Sequence, residues 1–252
     1  MAILILAGTI IAYLVITTSE TTDVDFVSDI AGGSAAPSAL GPMATLLPIM
    51  GMVIGASFIG ADIRSGMLEQ LLTWEPRRMR LFAARLMSAA WGTGVIAIVI
   101  AVWEVAALYG LAATAGTTGG ATTEVWVAIA ANVLRSAAIT GLFSVLGISI
   151  TLLLNNSVGA IVGFLSYWFV IENIVLSLFL PKVSAYLPVG NASAFGTGQP
   201  IQRFEGNVFT MATGEPVIVE VHDYRMAGLL ALGYVAAACV GAAIVFRQRD
   251  IG

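Results

Sequence analysis

The sequence predicts an all-α polytopic membrane protein with six transmembrane helices, and three observations support that fold class. Of the 252 residues, 58% are hydrophobic and only 10% are charged, whereas a soluble domain carries about 25% charged residues. The mean hydropathy is +0.94. The apolar residues are concentrated in stretches 2–17, 44–61, 86–112, 125–154, 157–180 and 226–246.

These stretches have the length that a membrane span needs. A hydrocarbon layer about 30 Å thick requires roughly 20 apolar residues of helix, because only a helix satisfies its own backbone polar groups in lipid. The first stretch is short, and Met1 precedes it without basic residues, so we expect a cytoplasmic lead-in to be missing. One transmembrane domain, 1–252, accounts for the whole length, since polar segment 181–225 is too short for a sizeable core.

The basic residues lie mainly on one side of the predicted spans. Segment 62–85 contains five arginines and the tail after Phe246 contains two, and both lie on the same side. The connections on the other side contain only Lys182, Arg203 and Arg225. Because lysine and arginine are enriched in cytoplasmic loops, we expect a multi-pass protein of a prokaryotic plasma (inner) membrane with both termini cytoplasmic.

Segment 181–225 is therefore expected to be extracytoplasmic. Residues 207–213 and 216–221 flank Gly214-Glu215, which predicts a β-hairpin before the sixth span. Residues 181–198 are semi-apolar with proline and glycine, and we expect short re-entrant pieces there. Asn191-Ala-Ser193 matches a glycosylation acceptor pattern, which is a weak signal.

Segment 62–85 predicts an amphipathic helix, a break, and a second helix that enters the bilayer. Leucines 68, 71 and 72 share one face with Met67 at helical spacing. Pro76 ends the first helix or opens the second. This pattern alone leaves two interpretations open. The segment is either an interfacial helix with snorkelling arginines or a docking helix for a cytoplasmic partner.

The same segment resembles the connection between spans two and three in the type-2 permease family of ATP-binding-cassette (ABC) transporters. That family shows an acidic residue, a glycine four positions on, a leucine-rich run, and then proline and basic residues. Those positions are held here by Asp62, Gly66, 68–72, Pro76 and Arg77–Arg78. The chain's end, Gly233-Tyr followed by Phe246-Arg-Gln-Arg-Asp-Ile, is similar to the family's ending. Two features depart from the family: Ala84-Arg85 replaces a Gly-Lys pair, and the usual initial amphipathic helix is not present.

The resemblance implies the membrane-spanning permease subunit of an ATP-driven exporter. Its partners would be nucleotide-binding ATPase subunits, a second identical or similar permease chain, and membrane lipid. ATP and magnesium would bind to the ATPase and no cofactor to this chain, which has no Gly-x-x-x-x-Gly-Lys-Ser/Thr loop. The cytoplasmic coupling helix, between spans 2 and 3, would bind the ATPase. The implied interface consists of Asp62, Arg64, Ser65, Gly66, Met67, Leu68, Glu69, Leu71, Leu72, Pro76, Arg77 and Arg78.

Three ionisable residues lie within the predicted spans: Glu104, Arg135 and Glu172. Each is 8–10 residues from the outer end of its span, about 12–15 Å deep at 1.5 Å per residue. Charged groups inside a membrane are costly and usually face a bundle interior or a partner. We expect Arg135 to pair with Glu104, Glu172 or both, either as a structural ion pair or as a polar element of a substrate path.

The expected substrate is hydrophobic or amphipathic, such as a drug, an antibiotic or a lipid-like molecule, because the spans contain few polar residues. The family's path is implied to be a cleft between two permeases bounded by spans two and five. The candidate lining residues are Met50, Tyr167, Trp168, Phe169 and Asn173.

Catalytic, metal-binding and nucleic-acid-binding patterns are absent from the sequence. His222 and Cys239 are the only histidine and the only cysteine, and neither a His-Glu-x-x-His nor a Gly-x-Ser-x-Gly pattern occurs. We therefore predict no catalytic residue, no metal ligand and no enzymatic activity, and no nucleic-acid partner. Two alternatives to an exporter stay open: an ion-coupled secondary carrier using Glu104 and Glu172, and a non-transporting membrane scaffold.

Overall fold

The computed structural model describes residues 41–67, 70, 78–115, 122–176, 180–205 and 217–248. The long helices are α1 (Gly41–Arg64), α2 (Arg78–Ala115), α3 (Thr123–Leu154), α4 (Ser157–Ser166) and α7 (Tyr224–Gln248). A π-helical segment, Tyr167–Leu176, continues α4. Between it and α7 lie α5 (Pro181–Ser184), α6 (Pro188–Thr197), β1 (Ile201–Glu205) and β2 (Val217–His222).

Five helices in the described part of the chain are long and apolar enough to cross a membrane. They are α1, α2, α3, α7, and α4 together with most of the π-helical segment. They correspond to the predicted spans two to six, so the prediction of a mostly helical, multi-pass membrane protein is confirmed for these residues. The first predicted span, 2–17, lies outside the described residues.

The central helix of the bundle is α3, which packs against α1, α2, α4, α6 and α7. Its middle is fully buried, with Ile139, Phe143 and Ile148 at 0% exposure. Phe143 contacts Phe164 of α4 edge-on, with 6.2 Å between ring centroids. A helix apolar on all sides is expected to be buried in this way, and it leaves the outer faces of its neighbours for lipid.

Small residues bring α1 and α3 into backbone contact. A Cβ atom added to Gly55 would lie 2.0 Å from the carbonyl oxygen of Ser144, and one added to Gly51 would lie 2.3 Å from that of Thr140. From the other side, a Cβ on Gly147 would lie 2.1 Å from the carbonyl oxygen of Met52. Glycines four residues apart permit such close approach of two helices in a membrane, and only hydrogen fits at these three positions.

One end of the bundle collects most of the described arginines, and we call it the arginine end. The last turns of α1 and α7, the start of α2 and the end of α3 meet there in one apolar cluster that includes Ile59, Phe82, Leu152 and Phe246. The rings of Phe82 and Phe246 are stacked at 5.6 Å. The basic side chains described at this end belong to Arg64, Arg80, Arg85 and Arg247.

The opposite end carries the segment between the fifth and sixth spans. The predicted hairpin is correct in its second strand, but the described partner of β2 is β1, Ile201–Glu205, in an antiparallel pair. Residues 207–213, the predicted first strand, lie outside the described residues. The short pieces predicted for 181–198 are α5 and α6, each with proline in its first turn, and α6 packs against α1, α3 and α7.

Candidate functional site

An ion pair joins the first two described spans at the arginine end. Asp62 of α1 is 7% exposed, and its Oδ2 lies 3.0 Å from Nη2 of Arg85 on α2. The same guanidinium lies over the ring of Phe58, 5.2 Å from its centroid. Asp62 was predicted to lie in an amphipathic helix at a partner interface. The structure places Asp62 within α1, which continues to Arg64, and its carboxylate faces α2; its place at a partner interface stays a prediction.

The chain turns away from α1 immediately after this ion pair. Gly66 has a φ of +68°, a left-handed conformation that favours glycine, and its N–H donates to the carbonyl oxygen of Ile63. Ser65 Oγ donates to the carbonyl oxygen of Asp62. Met67 resumes a helical conformation with 47% of its surface exposed. The predicted interface residues Ser65, Gly66 and Met67 therefore lie at the surface of this end.

The rest of the predicted coupling helix is not covered by the described residues. Leu68, Glu69, Leu71, Leu72, Pro76 and Arg77 lie outside them. Arg64 is exposed at the end of α1, and Arg78 is the first residue of α2.

Arg135 contacts groups other than the predicted carboxylates. Its Nη2 donates to Oδ1 of Asn132 at 2.5 Å, and its guanidinium lies 5.0 Å from the ring centroid of Tyr224. It also covers Gly198, where an added Cβ would lie 2.7 Å from the guanidinium carbon. Neither Glu104 nor Glu172 is among these contacts, and the pairing of Arg135 with either carboxylate stays a prediction. Glu104 is buried on α2 at 5% exposure.

The guanidinium of Arg135 lies near the start of α7. Helix α7 has 25 residues, about 37 Å, which is little more than a hydrocarbon layer of about 30 Å. Since Arg135 contacts Tyr224, the first residue of α7, it lies level with the end of that span. Helix α3 has 32 residues, about 48 Å, so it is longer than α7.

Glu172 caps a helix. Its Oε1 accepts a hydrogen bond from the N–H of Gly190 at 2.7 Å, within the first turn of α6. The residue before α6, Leu187, provides no side-chain cap. A carboxylate at a helix N-terminus satisfies a free N–H and interacts favourably with the helix dipole. Glu172 thus attaches α6 to the fifth span, 18 residues earlier in the chain.

The candidate path residues do not share one surface. Met50 packs beside the cluster of Leu47, Ala97, Ile100 and Ala137. Trp168 packs against the main core, with its ring 4.2 Å from that of Phe169, and Phe169 is 57% exposed. Asn173 donates from Nδ2 to the carbonyl oxygen of Trp168.

Among these residues, Tyr167 lines a cleft in the described part of the bundle. The cleft has a volume of about 300 Å³ and lies between α3, α4, α7 and the start of α6. Its other lining residues are Leu146, Ile150, Leu154, Gly159, Ala160, Gly163, Phe164, Pro188 and Tyr234. The lining is apolar apart from the two tyrosine hydroxyls, and that of Tyr234 donates to the carbonyl oxygen of Tyr186 at 3.0 Å.

A buried network at the opposite end includes the single histidine. Asn191 is 0% exposed and donates from Nδ2 to the carbonyl oxygens of Ala185 and Leu187. Its Oδ1 is therefore the acceptor for Nε2 of His222, 2.8 Å away. The His222 ring also stacks on Tyr186 at 5.5 Å. Burial lowers the pKa of His222 below its ordinary value, since the charged imidazolium loses solvation.

This network excludes the weak glycosylation signal at Asn191. With both amide hydrogens bonded inside the protein, Asn191 has no free face for a glycan. His222 is engaged with Asn191, and the described residues contain no group of three or more His, Cys, Asp or Glu side chains that would hold a metal ion. A lone histidine at the end of a predicted strand was the one sequence clue to this network, and nothing in the sequence indicated its partner 31 residues away.

The fold and the site define a multi-pass α-helical membrane protein whose first two described spans are joined by a buried ion pair. No family model matches the sequence, and no curated protein matches it at a significant level. The likeness to type-2 ABC permeases therefore depends on the residues quoted above.

Proposed function

We propose that this chain is the membrane-spanning permease subunit of an ATP-driven ABC exporter that moves a hydrophobic or amphipathic substrate. The observation that carries the proposal is the attachment of the 62–85 connection to both adjoining spans. On the α1 side, Asp62 binds Arg85 of α2 at 3.0 Å. Beyond it, Gly66 turns the chain outward and leaves Met67 exposed.

This attachment suits a segment that transmits force. A displacement applied to the exposed turn at Gly66 and Met67 would act on α1 and α2 together through the Asp62–Arg85 pair. It would reach α3 as well, because the Gly51–Gly55 contact joins the α1 and α3 backbones without intervening side chains. Packed elements of this kind move as units rather than deform.

The partners and orientation proposed here follow from the same end of the molecule. The arginine end would face the cytoplasm, since basic residues are enriched there, and separate ATPase subunits would bind at 62–78. A second permease chain would complete the complex in the plasma membrane. The ion-coupled alternative draws no support from Glu172, because its carboxylate has a structural role as the cap of α6.

Co-purification tests the proposal. The affinity-tagged chain, extracted from the membranes of its source in mild detergent, is expected to bring with it a protein that hydrolyses ATP. Met67→Glu places a charge on the exposed turn and should remove that protein. Val183→Glu is the matched control, because Val183 is 45% exposed but lies in α5 at the opposite end. Loss of the ATPase with both variants, or with neither, would contradict the proposed docking surface.

A further inference from the structure

We propose that His222 is an acid-sensitive latch, which fastens the strand pair β1–β2 to α5 and α6 at neutral pH and releases it when the imidazole ring takes up a proton. The latch lies at the end opposite the arginine end, in the segment between the π-helix and α7. It is independent of what the protein transports.

The side chain of Asn191 determines which nitrogen of the His222 ring carries the hydrogen. Asn191 is fully buried, and its amide group donates to the backbone carbonyl oxygens of Ala185 and Leu187. Its Oδ1 can only accept a hydrogen bond, so Nε2 of His222, 2.8 Å away, is the donor. The neutral ring therefore has its hydrogen on Nε2 and its lone pair on Nδ1.

The other ring nitrogen lies where a proton is unfavourable. Nδ1 of His222 is buried and has no hydrogen-bond partner among the described residues. The ring also stacks on Tyr186, with 5.5 Å between the centroids. Protonation would put a charged N–H group at Nδ1 without an acceptor, and a buried donor left unbonded is costly, more so when it is charged. Moving the ring into water removes that cost but breaks its bond to Asn191.

The charged residues around the ring do not offset this cost. The elements beside it carry Lys182 on α5, Arg203 and Glu205 on β1, Glu220 on β2, and Asp223 and Arg225 after β2. Glu220, Asp223 and Arg225 are exposed, so water screens their charges. The residue opposite His222 in the sheet is Ile201, which is uncharged.

The direction of the pH response follows from this environment. Burial lowers the pKa of His222 below its ordinary value of 6.5, because the charged ring loses solvation. The folded, fastened state therefore binds the proton more weakly than the released state. The latch is closed above pH 6.5 and opens as the pH falls towards the lowered pKa of the fastened ring.

Release of the ring frees the strand pair and leaves α6 in place. Helix α6 packs against α1, α3 and α7, and Glu172 caps its first turn. The strands pair mainly with each other, and His222 is the last residue of β2. Elements with few packing contacts open at a low free energy, so the opening is local to β1 and β2.

Nitrogen NMR tests the state of the ring in the full-length protein. His222 is the only histidine of the chain, so a protein labelled with nitrogen-15 histidine in lipid nanodiscs reports this ring alone. We expect the hydrogen of the neutral ring on Nε2 and a titration midpoint below 6.5. A hydrogen on Nδ1, or a midpoint at or above 6.5, would overturn the proposal without any variant.

Amide hydrogen exchange at pH 7.5 and pH 5, corrected for the intrinsic rates, tests the release. At pH 5, protonation of the released ring favours the open form by up to about 30-fold. Protection of β1 and β2 should therefore fall by up to that factor, while α6 keeps its protection. Equal protection of the strands at the two pH values would contradict a latch.

Two variants identify His222 as the source of the response. His222→Gln can still donate to Asn191 but does not titrate, so its strands should stay protected at both pH values. Glu220→Gln is the matched control, because Glu220 shares a face of β2 with His222 but is exposed, and it should respond to acid as the wild type does. A response that survives in His222→Gln, or disappears in Glu220→Gln, would overturn the proposal. These outcomes do not depend on whether an ATPase binds to the chain.

Discussion

The first prediction concerns Gly55 of α1, which leaves the least room for a side chain among the described glycines. Replacing Gly55 with alanine places a Cβ 2.0 Å from the carbonyl oxygen of Ser144, whereas ordinary contact begins at 3.4 Å. The two backbones must therefore separate by about 1.4 Å at this point. A gap of 0.5–1 Å already removes a quarter to a half of the attractive energy of each van der Waals contact. The loss applies to many contacts, because the α1–α3 interface is the most extensive between the described helices.

We expect Gly55→Ala to lower the free energy of unfolding by about 3 kcal/mol, at the upper end of the usual cost of overpacking. Gly92→Ala is the matched control. Gly92 lies on α2 with no atom within 4 Å of an added Cβ, and alanine favours a helix over glycine by about 1 kcal/mol. The control should therefore be neutral or slightly stabilised.

Unfolding by sodium dodecyl sulfate from mild micelles, followed by far-ultraviolet circular dichroism, measures both variants against the wild type. The reasoning would be refuted by a Gly55→Ala protein within about 0.5 kcal/mol of wild type, the range of ordinary surface substitutions. Equal destabilisation of Gly55→Ala and Gly92→Ala would refute it as well, since it would mean that glycine itself, and not the contact, matters.

Three further predictions concern the charged and titratable groups. Asp62→Arg should destabilise the protein by about 3 kcal/mol, because it leaves two cations together in a nearly buried site. The double variant Asp62→Arg with Arg85→Asp exchanges the two charges and should recover most of the lost stability in the same unfolding assay. No recovery would contradict a direct ion pair. Glu172→Leu leaves the Gly190 N–H without its acceptor and should lower the free energy of unfolding by about 2 kcal/mol. Glu172→Gln keeps an acceptor oxygen and should lower it less. Equal losses of stability in the two variants would contradict the capping role. The pKa of His222 is lowered in the folded protein, so the folded state binds the proton more weakly than the unfolded state. The stability that His222 contributes should therefore be complete above its ordinary value of 6.5 and should fall as the pH drops below it through the lowered folded pKa. Melting temperatures between pH 7.5 and 5 check this trend, and His222→Phe should flatten it; an unchanged slope in that variant would exclude His222 as its source.

The sequence predicted the long elements well because their signal is strong and local. A span needs about 20 apolar residues, and α1, α3 and α7 extend at most three residues beyond the predicted bounds, whereas α2 begins eight residues earlier, at Arg78. The second strand was predicted from β-branched residues, but its partner was not, because Ile201–Glu205 is shorter than 207–213 and has no clearer alternation. Strand pairing depends on the surrounding fold as well as on local pattern.

The contacts of the charged residues could not be predicted from hydropathy. Counting residues from the ends of the spans did not indicate that Arg135 contacts Tyr224 at the start of α7, because that contact depends on how α3 packs against α7. The role of Glu172 depends on the N-terminus of α6 reaching the fifth span, which no local pattern encodes. The four-residue spacing of Gly51 and Gly55 is a sequence signal that predicts close helix packing. It indicates that α1 packs closely against another helix, but it does not indicate that this helix is α3.

The most direct test of the proposed function is cross-linking from the exposed turn at the arginine end. A Met67→Cys protein, with Cys239 replaced by alanine, is purified with its associated proteins after treatment of intact membranes with a cysteine-reactive photocross-linker. The account predicts a cross-linked product that contains a phosphate-loop ATPase, with the cross-link at residue 67. A product without any such ATPase, or labelling of residue 67 only from the extracytoplasmic face, would contradict it.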